Sequence, residues 1–217
     1  MARNKYPEET VNLILETASR LFIEKGYEHT SIQDIINSLG GLSKGAIYHH
    51  FKSKEEILIA VTDKMSEQSN EMLAEIKKRT DMTGKEKLKK LLTDSLNRSV
   101  QDGIFSTAPN IGSSPALIFS ILRESIDYTA PEFVLPIIKQ GIEDGSIQTE
   151  YPEELAELIM LVGNIWLNPM IFEDTTEKIY KKCILFDKLL RSFGLDILDD
   201  CVFKRIMSLT ELYQNNK

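Results

Sequence analysis

Side chains able to do chemistry are scarce in this chain. There are three histidines, His29, His49 and His50, and two cysteines, Cys183 and Cys201. Adjacent histidines on a helix point about 100° apart, so His49 and His50 do not make a metal pair, and no other ligand stands at a suitable spacing. No serine sits in a nucleophile elbow and neither cysteine has a candidate base nearby in sequence. No metal, cofactor or enzymatic activity is expected. The cysteines lie among apolar residues at helical spacing and read as small buried hydrophobes.

The concentrated chemistry is in "GGLSKGAIYHHFKSKEE", Gly40 to Glu56. A glycine-rich phosphate loop needs Gly, four residues, then Gly-Lys-Ser/Thr after a strand. Here the order is Ser-Lys-Gly and a helical pattern precedes it, so the nucleotide reading fails. Between Gly40 and Lys54 stand three lysines, two histidines and no acid. On a helical wheel Ile47 and Phe51 share one side with Leu42 from the turn. Lys44, Gly45, Tyr48, His49 and Lys52 take the other. Nine helical residues span about 13 Å, comparable with the ~12 Å major groove. Lysine neutralises phosphate or donates to guanine, and tyrosine and histidine reach phosphates and base edges.

The elements around this stretch are those of a helix-turn-helix. A first helix over 8–25 carries the stripe Val11, Ile14, Leu15, Ala18, Leu21 and Phe22, with Pro7 at its entry and Gly26 at its exit. Thr30 and Gln33 form a capping-box pattern that opens a short helix with Ile32, Ile35, Ile36 and Leu39 inward. Gly40 and Gly41 end it. A third helix covers 43–52. A second capping box, Ser53 with Glu56, starts a long fourth helix with Ile57, Leu58, Val61, Met65, Met72 and Ile76 inward.

Farther on, helical periodicity continues without strands or repeats. A helix is expected over 85–101, then an irregular stretch, "DGIFSTAPNIGSSPALIF". Helices follow at 116–126, at 131–143 with a kink at Pro136, and at 152–167, 175–193 and 196–213. The fold class is all-α: a three-helix helix-turn-helix domain over 1–53 and a larger helical domain over 54–217.

Charge agrees with a localised rather than a general nucleic-acid surface. The 217 residues carry a net charge of -7. Residues 1–64 hold eight basic and nine acidic side chains and are nearly neutral, while the acidic excess lies beyond them. No apolar run reaches the length of a membrane span, and the N-terminus lacks a hydrophobic signal core, so a cytoplasmic protein without membrane partners is expected.

The stretch "TSIQDIINSLGGLSKGAIYHHFKSKEEIL" resembles the DNA-binding segment of TetR-type transcriptional repressors. The matching order is Thr-Ser, an Ile-rich helix, Leu-Ser-Lys-Gly, Ala-Ile-Tyr-His-His-Phe and Lys-Ser-Lys-Glu, within residues 8–60. The resemblance implies a homodimer on double-stranded, near-palindromic operator DNA, released by a small-molecule inducer. It places Ser43, Lys44, Gly45, Ala46, Tyr48, His49 and His50 at or near DNA. It gives Thr30 and Ser31 a helix-end contact and Lys54 a phosphate contact. The usual turn has one glycine where this chain has Gly40 and Gly41, which lengthens the turn. A helical ligand- or partner-binding protein without DNA binding, or an activator, are the alternatives.

Beyond residue 65 no motif has comparable strength. Phe105, Phe119, Asn164, Trp166 and Asn168 are the candidate ligand-binding residues, with Arg123 and Glu124 added for a polar or charged ligand. Leu155, Ile159 and Val162 on one line of the 152–167 helix, with Leu158 beside them, make an apolar arc wider than one core contact needs, so they are the expected dimer face.

Overall fold

The computed structural model describes residues 7–41, 44–98, 101–107, 111–113 and 115–215. Among them there is no strand. Twelve α-helical segments follow one another, and two compact units form, one centred on Met1–Glu67 and the other starting at Gln68.

The N-terminal unit is built from α1 (Pro7–Lys25), α2 (Ile32–Ser38), α3 (Lys44–His50) and the first half of α4 (Lys54–Lys78). Ile14, Leu15, Ala18, Leu21 and Phe22 of α1 meet Ile35, Leu39, Ile47, Phe51, Ile57 and Val61 in one buried cluster. α2 and α3, of seven residues each, are too short to be stable alone, and this shared apolar cluster sustains them. The boundary expected at 53/54 coincides with the start of α4, but packing carries the unit on to Glu67. Ile57 and Val61 are the reason, since both enter this core.

The second half of α4 belongs to the C-terminal unit, with α5 (Gly84–Leu96) and α6 (Gln101–Thr107). α6 occupies part of the stretch expected to be irregular. Next, α7 (Pro115–Arg123) runs into a π-helical segment, Glu124–Val134, and then α8 (Leu135–Glu143). The expected break between 126 and 131 and the kink at Pro136 are thus replaced by a wider helical winding. It contains Pro131, and the Leu135 N–H reaches back five residues to the Ala130 carbonyl. Pro136 has no N–H for its own turn, and the Glu132 carbonyl instead accepts the Lys77 ammonium at 2.7 Å.

α9 (Pro152–Leu161) likewise passes into a π-helical segment, Val162–Trp166, before α10 (Pro169–Phe172), α11 (Thr176–Arg191) and α12 (Asp200–Asn215). The last helix starts four residues later than the pattern 196–213 implies. Leu195, Ile197 and Leu198 precede it as buried non-helical residues. The core joins Leu73, Ile76, Leu88, Phe133, Ile138, Leu155, Ile179, Phe186 and Leu190. α5 touches α8 closely where two glycines meet: a Cβ on Gly84 would stand 2.4 Å from the Gly141 Cα. A side chain at Gly84 would drive the two helices apart, and one at Gly141 would strike the Ile147 side chain 2.4 Å away.

Candidate nucleic-acid interface and effector region

The recognition segment is held from behind by its own apolar residues. Ile47 and Phe51 are buried, whereas Lys44, Gly45, Tyr48 and His49 are exposed, Tyr48 by 43%. Ala46 and His50 are half-buried. The Lys44 ammonium lies 5.7 Å from the centre of the Tyr48 ring, and the His49 and His50 rings meet edge-on at 5.1 Å. One helix thus shows a basic, aromatic, hydrogen-bonding surface and hides an aliphatic one. Ser43 and Leu42 lie outside the described residues.

The turn ahead of α3 depends on both glycines. Gly40 has φ +60° and Gly41 φ +145°, and open space surrounds a Cβ at either. Backbone conformation, not crowding, therefore requires glycine at the two positions.

The start of α2 differs from the expected Thr30–Gln33 box. Ser31 is the N-cap: its side chain accepts the Asp34 N–H, and the Asp34 carboxylate accepts the Ser31 N–H at 2.8 Å. The Ser31 hydroxyl, which donates to the Asp34 carboxylate at 2.5 Å, and then the Ser31 N–H hold the Asp34 carboxyl below its ordinary range. Thr30, one residue earlier, is 1% exposed, and its hydroxyl donates to the Gly26 carbonyl at 2.8 Å and is near the Leu21 carbonyl at 3.2 Å. It locks the α1–α2 connection, and its side chain is not available at the surface. Ser31 is exposed. The Ser53–Glu56 box forms by half. Ser53 caps the Glu56 N–H at 3.0 Å, but the Glu56 carboxylate takes the Lys52 N–H at 2.7 Å.

Lys54 opens α4 with its ammonium on the Tyr27 carbonyl at 2.9 Å and 4.1 Å from the centre of the Tyr27 ring. Burial, followed by the nearby Glu55 and Glu28 charges, pushes the Tyr27 phenol upward. Farther along α4, Lys64 reaches Asn12 at 3.2 Å and Glu16 at 3.1 Å on α1.

In the C-terminal unit the expected ligand residues have different surroundings. Phe105 is half-buried on α6. Phe119 is 59% exposed, with Arg123 6.0 Å above its ring and paired to Asp127 at 2.6 Å. Asn164 donates to the Ser125 hydroxyl at 2.9 Å and so ties the two π-helical segments together. Asn168 is a helix cap: its side-chain oxygen takes the Met170 N–H at 3.0 Å and its amide donates to the Asn164 carbonyl at 3.1 Å. Its side chain is structural. The Trp166 carbonyl accepts Lys182 at 2.6 Å, and that ammonium lies 5.1 Å from the Trp166 ring and 4.7 Å from Phe172. Buried Asp174 holds Lys182 at 2.5 Å and also pairs with Lys178. Burial alone would raise the Asp174 carboxyl, but the two lysines outweigh it and the carboxyl is lowered.

The expected dimer residues are also divided. Leu155 is buried in the unit's own core, which leaves it nothing to offer a partner, while Leu158, Ile159 and Val162 are half-buried. On α11, Tyr180, Leu185 and Leu189 are exposed, Leu185 by 59%. Leu185 and Leu189 form a second apolar line on α11, apart from the buried Ile179, Cys183, Phe186 and Leu190. Lys182 carried no local signal, because its partners Asp174 and the Trp166 carbonyl lie eight and sixteen residues away. Of the two cysteines, Cys183 is buried as expected and Cys201 is exposed.

An all-helical chain whose first unit is a helix-turn-helix and whose second is a larger helical domain defines a class of DNA-binding regulators. Residues 14–61 match the family model of bacterial regulatory proteins of the tetR family, and residues 92–189 match the tetracyclin repressor-like C-terminal domain. The chain belongs to the TetR family of transcriptional regulators. It is 28% identical over 176 residues to the uncharacterized HTH-type transcriptional regulator YuxN of Bacillus subtilis, covering 79% of this chain and 58% of that protein. It is 27% identical over 186 residues to the HTH-type transcriptional repressor KstR2 of Rhodococcus jostii, covering 79% and 87%. The chain spans 58% of the length of YuxN and under half of several other curated relatives. A solved TetR-family regulator from Pectobacterium atrosepticum shares the fold, with a TM-score of 0.58, 23% identity and coverage of 88% and 97%. The family is one of transcription regulators rather than enzymes. Among the described residues no group of histidine, cysteine, aspartate and glutamate can hold a metal, and no helix is long and apolar enough to cross a membrane.

Proposed function

We propose that the protein is a ligand-responsive repressor that binds operator DNA as a homodimer and leaves it when a small molecule binds the helical domain. The observation that carries this reading is the division of α3, with Ile47 buried and Lys44, Tyr48 and His49 exposed. Such a helix offers base and phosphate contacts on one side only. Ser31, Ser43, Gly45, Ala46 and His50 complete the proposed DNA surface. Lys54 adds positive charge at the start of α4, and Thr30 acts by fixing the α1–α2 connection. KstR2 is named a repressor, which supports repression over activation.

The proposed dimer face is α11, through Tyr180, Leu185 and Leu189, with the half-buried Leu158, Ile159 and Val162 of α9. A two-fold pair sets two recognition helices about 34–36 Å apart, one turn of DNA. α4 contributes to both units, so an effector that favours one position of α4 biases DNA affinity. It must bind the two states unequally to do so. The test is a gel shift with DNA from upstream of the protein's own gene, repeated with candidate ligands. Binding no tighter than to unrelated DNA refutes the operator reading.

A further inference from the structure

Two imidazoles stand side by side on α3 with no polar partner among the described residues. His49 is exposed, His50 is half-buried, and their rings meet edge-on at 5.1 Å. Neither takes part in a hydrogen bond or an ion pair with any described residue. The acids of the elements packed around α3 are engaged elsewhere. Asp34 of α2 is held by Ser31, and Glu56 of α4 takes the Lys52 N–H. On α1, Glu16 pairs with Lys64 and Glu24 with Arg20, and neither Glu8 nor Glu9 bonds to either ring. Glu55 of α4 and Glu28 of the α1–α2 connection lie beside Tyr27. The cations near the pair in sequence are Lys44 and Lys52, and Lys54 is taken by the Tyr27 carbonyl.

Imidazole is the ordinary side chain that changes charge between pH 5 and 8. The neutral ring offers one donor and one acceptor, and the charged ring offers two donors. DNA presents mainly acceptors to a recognition helix: phosphate oxygens, and N7 and O6 of guanine. The charged ring suits that surface, and a nearby anion favours the charged form. No carboxylate of the described residues already supplies that anion, so phosphate is the opposite charge the pair meets on binding. Two positive rings 5.1 Å apart repel, so one proton for each pair is the expected uptake.

We infer that operator binding takes up a proton at the His49–His50 pair of each protomer, so that the protein holds its operator more tightly as the medium turns acidic. The inference rests on the reading of α3 as the DNA-contacting helix and adds to it a pH response that needs no effector. The complex binds more protons than its separate parts, so affinity is greatest at low pH and is lost as pH rises through the imidazole range. His29, exposed in the α1–α2 connection, is the only other histidine in the chain. Ordinary carboxylates titrate below this range and lysines above it.

The test uses the full-length protein and DNA from upstream of its own gene. Affinity is measured by fluorescence anisotropy from pH 6 to 7.5 at one fixed ionic strength, because phosphate contacts make binding salt-dependent. Operator affinity is expected to be about tenfold greater at pH 6 than at pH 7.5. Calorimetry at pH 7 in phosphate and in Tris should give binding enthalpies that differ in the direction of proton uptake. His49→Gln and His50→Gln should each flatten the pH dependence, the pair of substitutions together should abolish it, and His29→Gln should leave it intact. Equal affinity across the range, an enthalpy independent of buffer, a pH dependence that survives in the double variant, or one that vanishes with His29→Gln overturns the inference. His50 is half-covered, so a variant there that fails to fold leaves the decision to the unaltered protein and to His49→Gln, whose side chain is exposed. Tight operator binding without pH dependence overturns this inference alone, whereas binding no tighter than to unrelated DNA at every pH overturns the regulator reading.

Discussion

The Lys54 ammonium donates to the Tyr27 carbonyl at 2.9 Å and rests 4.1 Å from the centre of the same residue's ring. One side chain at the start of α4 thereby fixes the beginning of the α1–α2 connection. Its positive charge stands at a helix N-terminus, where the dipole opposes it, so the Tyr27 carbonyl and ring carry the compensation. Two effects follow from removing it. Lys54→Ala should lower stability by about 1 kcal/mol, the size of a charge-assisted hydrogen bond with a partly exposed cation–π contact. It should also weaken DNA binding for all sequences alike and flatten the salt dependence by about one unit of slope. Thermal melts and gel shifts at several salt concentrations measure both. A loss confined to one operator sequence contradicts a phosphate role.

Tyr48→Ala and His49→Ala remove exposed side chains whose neighbours in the fold are few. Folding should change by less than about 0.5 kcal/mol, as for ordinary surface positions. Operator affinity should fall by about 1–3 kcal/mol if either reads a base edge. Gel shifts paired with light scattering separate lost contact from lost assembly. Unchanged affinity in both variants removes α3 from the interface.

The N-terminal unit was legible in the sequence because its signals are local. The stripe on α1, the Gly40–Gly41 turn and the burial of Ile47 and Phe51 all follow from spacing within a few residues. The α2 cap was misplaced by one position because Thr30 and Ser31 both suit an N-cap. Asp34, three residues after Ser31, decides between them, and Thr30 turns inward to the Gly26 carbonyl. The C-terminal unit was less legible. Pro131 and Pro136 both suggest breaks, but a π-helical winding absorbs the first and Lys77 satisfies the Glu132 carbonyl that the second leaves without its usual partner. Leu155 fits a dimer face on a wheel, and only the packed structure shows it enclosed.

The two thiols should differ in reactivity. Burial pushes the Cys183 thiol up to about 12, against a smaller opposing pull from Lys182, so at pH 8 it stays protonated. The raised value means that thiolate appears only well above neutrality in the folded state. Cys201 is exposed. A thiol-reactive dye at pH 8 should label one cysteine rapidly in the native protein and both in denaturant. Rapid labelling of two native thiols contradicts the enclosed position of Cys183.

α11 is the proposed partner face, and Leu185 tests it best because its 59% exposure makes a fold defect improbable on physical grounds. A charge there enters a desolvated interface without a partner if a second copy covers it. Leu185→Asp, or Leu189→Glu, should shift the protein to monomer at micromolar concentration and lower operator affinity with it. Leu158→Ala should weaken assembly less, since that side chain is already half-covered. Light scattering at several concentrations reads the outcome, and a dimer unaffected by Leu185→Asp moves the interface elsewhere.

Lys87 is 2% exposed, and its ammonium donates to the Lys77 carbonyl at 2.9 Å and to the Gln140 side-chain oxygen. Lys77 lies in the last turn of α4, so a positive charge meets the negative end of that helix. The Gln140 amide in turn donates to the Met82 carbonyl at 2.9 Å. The Gln140 side chain also hydrogen-bonds the Asp144 carboxylate, so that acid reaches Lys87 only through a neutral group. Lys87→Met keeps the apolar stem and removes the charge, which leaves the Lys77 carbonyl and the Gln140 oxygen buried without their donor. The loss should be about 2–3 kcal/mol, because an orphaned buried acceptor costs more than an average hydrogen bond contributes. Gln140→Leu added to Lys87→Met removes one of the two orphaned acceptors and exposes the Met82 carbonyl to the same problem. The double variant should therefore be less destabilised than the sum of the two single ones. A double-mutant cycle by denaturant unfolding gives the coupling, expected at about 1 kcal/mol or more for residues in direct contact. Strict additivity means that Lys87 is held by packing of its stem, and that the end of α4 does not depend on its charge.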